Sequence, residues 1–185
     1  MFNITDRQPI RRRAFMDKII NTERLTLGTI EEKDRACVVA ILRNDIVKKT
    51  YMLPDFESDE AAGKLFLRLS ELSHDDERFV FGIFLDGKLI DFMNDTEING
   101  DELEMGYALH PDYHNKGYAT EVFSGVIEYL FTRGFRCITA GAFEENPASM
   151  RVMEKCGMTR MDKTDEIEYR GATHKCIYYM IERGE

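Results

Sequence analysis

Between Arg78 and Leu109 the apolar residues recur with a period of two, and Asp86-Gly87 and Asn99-Gly100 interrupt them at hairpin spacing. Both dipeptides tolerate the positive backbone angles of tight two-residue turns. The segment reads as a three-stranded antiparallel meander: Phe79 to Leu85, Lys88 to Glu97 and Glu102 to Leu109. A chain built on such a meander needs further elements to cover both faces of the sheet.

Those elements are visible on either side. Arg24-Leu25-Thr26-Leu27 reads as a first strand, and Glu31 to Arg43 places Ala36, Val39, Ala40 and Leu42 at helical spacing. A second helix covers Asp59 to Leu72, where Ala62, Leu65, Phe66 and Leu69 repeat at three- and four-residue steps. After Pro111 come a helix from Gly117 to Thr132, a strand Arg136 to Ala142, a helix Pro147 to Cys156, and two closing strands near Ile167 and Tyr178. Strand, helix, strand in that order demands a crossover. The expected fold is α/β (α+β): a mixed, mainly antiparallel sheet of about seven strands with helices on both faces.

A chain of 185 residues with 43% hydrophobic content suits one core. Residues 1–20 lack a clear period and carry Arg11-Arg12-Arg13, so they read as an N-terminal extension, with Met16 as an alternative start. Residues 21–185 then form a single domain. The 34 acidic and 25 basic residues give a net charge of -9, which repels phosphate backbones and argues against nucleic-acid or anionic-membrane partners. Cys37, Cys137, Cys156 and Cys176 are widely spaced with no CxxC pair, so no metal is expected, and Cys137, Cys156 and Cys176 read as small buried hydrophobes in a reducing compartment. No apolar stretch is long enough to span a bilayer, and the N-terminus lacks a signal-peptide core, so a cytoplasmic protein is expected. Ile177, Tyr178 and Tyr179 suit a core or a dimer face, leaving monomer or homodimer.

The segment Leu109-His110-Pro111-Asp112-Tyr113-His114-Asn115-Lys116-Gly117-Tyr118-Ala119-Thr120 runs from a strand end through a proline turn into a helix start. Unpaired N–H groups at such a start, reinforced by the helix dipole, hold a pyrophosphate. Gly117 and Ala119 let the backbone come close, and Lys116 adds a point charge. This stretch resembles the Q/R-x-x-G-x-G/A signature of the GNAT N-acetyltransferases, with His114 standing where the family has Gln or Arg. The likeness extends through Thr22-Glu23-Arg24-Leu25, Glu104-Met105-Gly106-Tyr107, Asn146-Pro147-Ala148-Ser149 and Glu154-Lys155-Cys156-Gly157-Met158, a set similar to the ribosomal-protein-acetylating RimJ/RimL-type branch.

The resemblance implies a splayed central strand pair and acetyl-coenzyme A as cosubstrate, with an amine as acceptor. Its pyrophosphate is implied at His114, Asn115, Lys116, Gly117, Tyr118, Ala119 and Thr120. The pantetheine arm and thioester oxygen are implied on the backbone of Tyr107, Ala108, Leu109 and His110. Glu104 matches a glutamate that deprotonates the amine, and Ser149 a serine that meets the coenzyme sulfur and delivers a proton. Asn146 bonds the pantetheine amides or caps the following helix. Met153 occupies the place of the tyrosine acid found in many relatives, so that mechanism is excluded at that position. A coenzyme-A-binding sensor without transferase activity is the alternative.

Other residues carry less. His110 and His174 read as structural or surface, and His74 as a helix-end residue. Asp91 stands where relatives have glycine; facing the cleft it would recruit an ammonium, and facing out it would mean nothing. Acceptor specificity is expected from Ile46 to Asp59 and Asp165 to Thr173, whose Asp55, Glu57, Asp59, Asp165, Glu166 and Glu168 suggest an acidic rim suited to a polycation, an aminoglycoside or a peptide N-terminus.

Overall fold

The computed structural model describes Phe15 and residues 18–184. The arginines at 11–13 and Met16 lie outside the described residues. Eight strands form one sheet: β1 (Ile20–Asn21), β2 (Leu25–Gly28), β3 (Val80–Leu85), β4 (Lys88–Asn99), β5 (Glu102–Tyr107), β6 (Cys137–Phe143), β7 (Thr159–Tyr169) and β8 (Ala172–Glu182). Their order is β1-β2-β3-β4-β5-β6-β8-β7, and among the described residues only β5 and β6 run parallel. The strand beyond the expected seven is β1, whose two residues are too short to show a period.

Among the described residues four α-helices cover the sheet: α1 (Arg35–Arg43), α2 (Asp59–Ser73), α3 (Tyr118–Thr132) and α4 (Pro147–Lys155). Ser58 caps α2 by accepting from the Ala61 N–H at 3.1 Å, and Pro147 opens α4 where its missing N–H costs nothing. α1 and α2 bury Val38, Ile41, Leu42, Ala62, Phe66 and Leu69 together with Phe92 on one face. On the other, α3 buries Val122, Phe123, Val126, Ile127 and Leu130 with Phe79, Phe81 and Met93. This second core reaches back past the domain boundary expected at residue 20: Phe15 is only 1% exposed and stacks on Phe135 at 6.0 Å.

One break in the sheet positions everything that follows. β5 and β6 pair only at Glu102/Cys137, Leu103/Ile138 and Glu104/Thr139. Beyond Glu104, β5 continues to Tyr107 without β6, while β6 follows β8 as far as Phe143. The two central strands therefore splay apart and leave backbone groups facing a cleft.

Candidate active site

The cleft opens toward the turn that leads into α3. Asn115 (φ 59°) and Gly117 (φ 82°) both take left-handed backbone, which asparagine tolerates and glycine adopts freely. Gly117 is the cap of α3 and supplies no side chain, so the first-turn N–H groups are left for an anion. A Cβ on Gly117 would lie 3.3 Å from the Arg24 guanidinium.

Arg24 braces this loop from the β2 side. Its guanidinium donates to Glu121 at 2.7 Å and to the Lys116 carbonyl at 3.1 Å, and sits 4.5 Å from the Tyr118 ring centre. Glu121 also accepts from the Thr22 hydroxyl (2.6 Å) and the Arg24 N–H (2.7 Å). Burial pushes the Glu121 carboxyl up, but those donors outweigh it and hold it below its usual range. Sequence reasoning missed this brace because its members are 97 residues apart.

A cavity of about 720 Å³ runs from this loop through the splay. His114, Asn115, Gly117, Tyr118, Ala119 and Thr120 line its far end; Tyr107, Ala108 and Leu109 line one wall; Asn146, Ser149 and Glu104 complete it. Lys116 points elsewhere, with its ammonium 5.4 Å from the Tyr113 ring centre.

The backbone expected to be free from Tyr107 to His110 is partly used. The Ala108 N–H donates to the Phe92 carbonyl at 3.4 Å, and His114 Nε2 donates to the Leu109 carbonyl at 2.6 Å. Strand alternation directs the N–H groups of Tyr107 and Leu109 away from β4, into the splay. His114 thus folds onto its own loop.

Deeper in the cleft, the Tyr107 hydroxyl lies 3.0 Å from the Ser149 hydroxyl, with the Tyr107 ring edge-on to Phe123. Burial pushes the phenol up to about 12, against a smaller opposing effect of Ser149, so it keeps its proton at neutral pH. Ser149 is 8% exposed, and its N–H donates to the Asn146 side chain at 3.2 Å. Asn146 is therefore the cap of α4. Met153 is buried in the core, and the tyrosine beside Ser149 comes instead from β5.

Glu104 sits at the mouth of the splay. A bulge in the β4/β5 ladder between Asp95 and Glu97 turns Thr96 toward it, and the Thr96 hydroxyl donates to its carboxylate at 2.9 Å. Across the cleft the Tyr51 hydroxyl donates to Asn94.

His110 Nδ1 accepts from the Asp112 N–H at 3.3 Å, a turn-stabilising contact. His174 stacks on Phe143 at 4.6 Å, and His74 bonds the Ser70 carbonyl and Glu31. Asp91 faces neither the cleft nor solvent: it is fully buried. None of Asp55, Glu57, Asp59, Asp165, Glu166 and Glu168 lines the cavity, so the acidic rim is absent from its walls. Among the described residues no helix is long and apolar enough to cross a membrane, and no group of three or more His, Cys, Asp or Glu is placed to hold a metal.

Residues 24–159 match the family described as the acetyltransferase (GNAT) domain. The chain belongs to the GNAT family. It is an acetyltransferase, and its curated relatives carry the same description: an uncharacterised N-acetyltransferase of Bacillus subtilis, YoaA, is 28% identical over 85% of this chain and 92% of its own length. A GNAT acetyltransferase structure from Bacillus anthracis superposes with a TM-score of 0.76 at 27% identity, covering 89% of this chain and 98% of that one. The RimL ribosomal L7/L12 acetyltransferase, solved with coenzyme A, shares the fold at TM-score 0.79 and 18% identity over 89% and 97% of the two chains. A Vibrio cholerae spermidine N-acetyltransferase, solved with coenzyme A and spermine, shares it at TM-score 0.73 and 22% identity over 86% and 95%.

Proposed function

We propose that this GNAT enzyme moves the acetyl group of acetyl-coenzyme A directly to a primary amine, with Glu104 as base and Ser149 as proton donor. The observation that carries the reading is the splay: it opens just beyond Glu104, passes Ser149 and ends at the start of α3. The cosubstrate supplies an activated thioester. The first-turn N–H groups of α3 and the Gly117 backbone, held in its left-handed conformation, hold its pyrophosphate. The Tyr107 and Leu109 N–H groups face the thioester oxygen and stabilise charge developing there. Glu104 takes the ammonium proton, directly or through water. Tyr107, which keeps its proton, donates to Ser149 Oγ and leaves the serine proton turned to the departing sulfur. The four free cysteines fit a reducing, cytoplasmic setting.

Thiol release from acetyl-coenzyme A in the presence of a panel of amines tests this reading. Turnover with one amine class supports it; silence across the panel, with coenzyme A still raising the Tm, removes it.

Two further outcomes are expected. Gly117→Val forces a β-branched residue into left-handed backbone, costing about 1–2 kcal/mol, and should raise KM for acetyl-coenzyme A about tenfold. An unchanged KM would remove the loop from cosubstrate binding. Ser149→Ala and Tyr107→Phe should each lower kcat about tenfold, and the double variant no further than Ser149→Ala, because one hydroxyl acts through the other. Additive losses would show that Tyr107 acts separately.

A further inference from the structure

We infer that the acceptor is an apolar amine with a single positive charge, an inference that rests on the acetyl-transfer reading above. The acceptor side of the cavity lies between the 46–52 loop and the strands β4, β5 and β8. Among the described residues that line the cavity, Glu104 is the one carboxylate. Beside it the walls are Ile46, Met52, Ile167, Tyr51 and Phe143, and the nearest charge on the loop is the cation Lys49.

The acids expected to receive a polycation lie off the cavity wall, and most of them are paired with other side chains. Lys48 holds Asp45 at 3.1 Å and Asp55 at 3.0 Å, Arg170 also holds Asp55 at 3.1 Å, and Arg43 pairs with Asp59. Asp165 lies 3.8 Å from Lys163 and Glu168 accepts from Thr173, while Lys175, opposite Glu166 in the ladder, pairs with Glu144 at 3.3 Å; Glu166 itself is off the cavity wall. Glu57 is exposed and off the cavity wall. A second ammonium on the substrate would therefore leave water without gaining a carboxylate, and would meet Lys49.

The apolar lip has its own signature. Ile46 and Met52 are each 53% exposed and, unlike the exposed Ile19 and Leu67, both line the cavity, so an apolar body seated there covers surface that otherwise faces water. The loop bearing them is fixed in place. The Tyr169 hydroxyl, at the end of β7, donates to the Lys48 carbonyl at 2.7 Å and accepts from the Leu53 N–H at 3.2 Å. An apolar body docked against Ile46, Met52 and Ile167 places its amine toward Glu104.

A small arylalkylamine and a peptide amino terminus with a bulky apolar first residue share this chemistry. The test measures kcat/KM by thiol release with 2-phenylethylamine, a phenylalanine-initial tripeptide amide and spermidine, using the full chain. Both apolar amines should exceed spermidine at least tenfold, and the faster of the two names the source. Ile46→Ser and Met52→Ser, both at exposed positions, should each lower kcat/KM for the faster apolar amine about tenfold with KM for acetyl-coenzyme A unchanged. Lys49→Glu should narrow the gap to spermidine. Spermidine as the best acceptor, or lip variants without effect, would overturn the inference while leaving acetyl transfer intact. Absence of thiol release with every amine would overturn the transfer reading itself.

Discussion

Glu104→Gln is expected to lower kcat about a hundredfold at neutral pH, within the range ascribed to a positioned general base. The substitution keeps the shape of the side chain and an oxygen that accepts from the Thr96 hydroxyl, so the β4/β5 bulge that aims it has no reason to move. KM for acetyl-coenzyme A and the Tm shift on adding coenzyme A should both stay at wild-type values, because the loop proposed for the pyrophosphate, with Gly117 in it and Arg24 bracing it, lies at the other end of the cavity. What changes is who removes the ammonium proton. With a glutamine there, only amine already deprotonated in solution reacts, so the variant's rate should climb steeply between pH 7 and pH 9 while the wild-type rate climbs less. Equal turnover in both proteins across that range would remove Glu104 as base.

The meander, the helices and the α3 loop were legible in the sequence because each is set by local spacing and turn chemistry: Asp86-Gly87 forms the first hairpin turn, the second falls one residue later than expected at Gly100-Asp101 because Asn99 still pairs with Glu102, and Gly117 takes its left-handed cap. What was not legible depends on partners distant in the chain. Arg24 and Glu121 brace the loop across 97 residues, and Tyr107 reaches Ser149 across 42. Met153 is buried in the core, and the hydroxyl beside the serine belongs to Tyr107 on another strand, which no spacing around Ser149 announces.

The acidic rim failed for a related reason. A list of acids records charge without its counter-ions, and Lys48, Arg43 and Arg170 neutralise Asp55 and Asp59. Phe15 and β1 were missed because their burial comes entirely from tertiary packing: a two-residue strand and a single aromatic carry no period.

Asp91 joins the two themes, since the fold there breaks the rule used to read it. Alternation along β4 would put Leu89 and Asp91 on one face. A bulge leaves Ile90 unpaired, so that Leu89 stands opposite Phe84 while Asp91 stands opposite Ile83. The carboxyl is carried into the interior, where it is 0% exposed, one oxygen accepts from the Phe92 N–H at 2.7 Å and the other has no partner.

Burial raises the Asp91 pKa well above its ordinary 3.8, against smaller opposing effects of the Phe92 and His110 N–H groups. The Tyr51 hydroxyl is likewise pushed up, by its own burial and by Asp91. The consequence for stability has a definite sign. A carboxyl whose pKa is raised on folding binds its proton more tightly in the folded state, so its contribution is fully present below about pH 3.8 and is lost as pH rises toward the folded value. Each pH unit in that window removes about 1.4 kcal/mol. Asp91→Asn keeps the shape and the Phe92 contact but cannot ionise. The variant should match the wild type near pH 4 and exceed it by several degrees in Tm at pH 8, with the difference growing steadily between. A constant difference across the range would mean that Asp91 does not change its ionisation on folding, and that relief of buried polarity alone separates the two proteins.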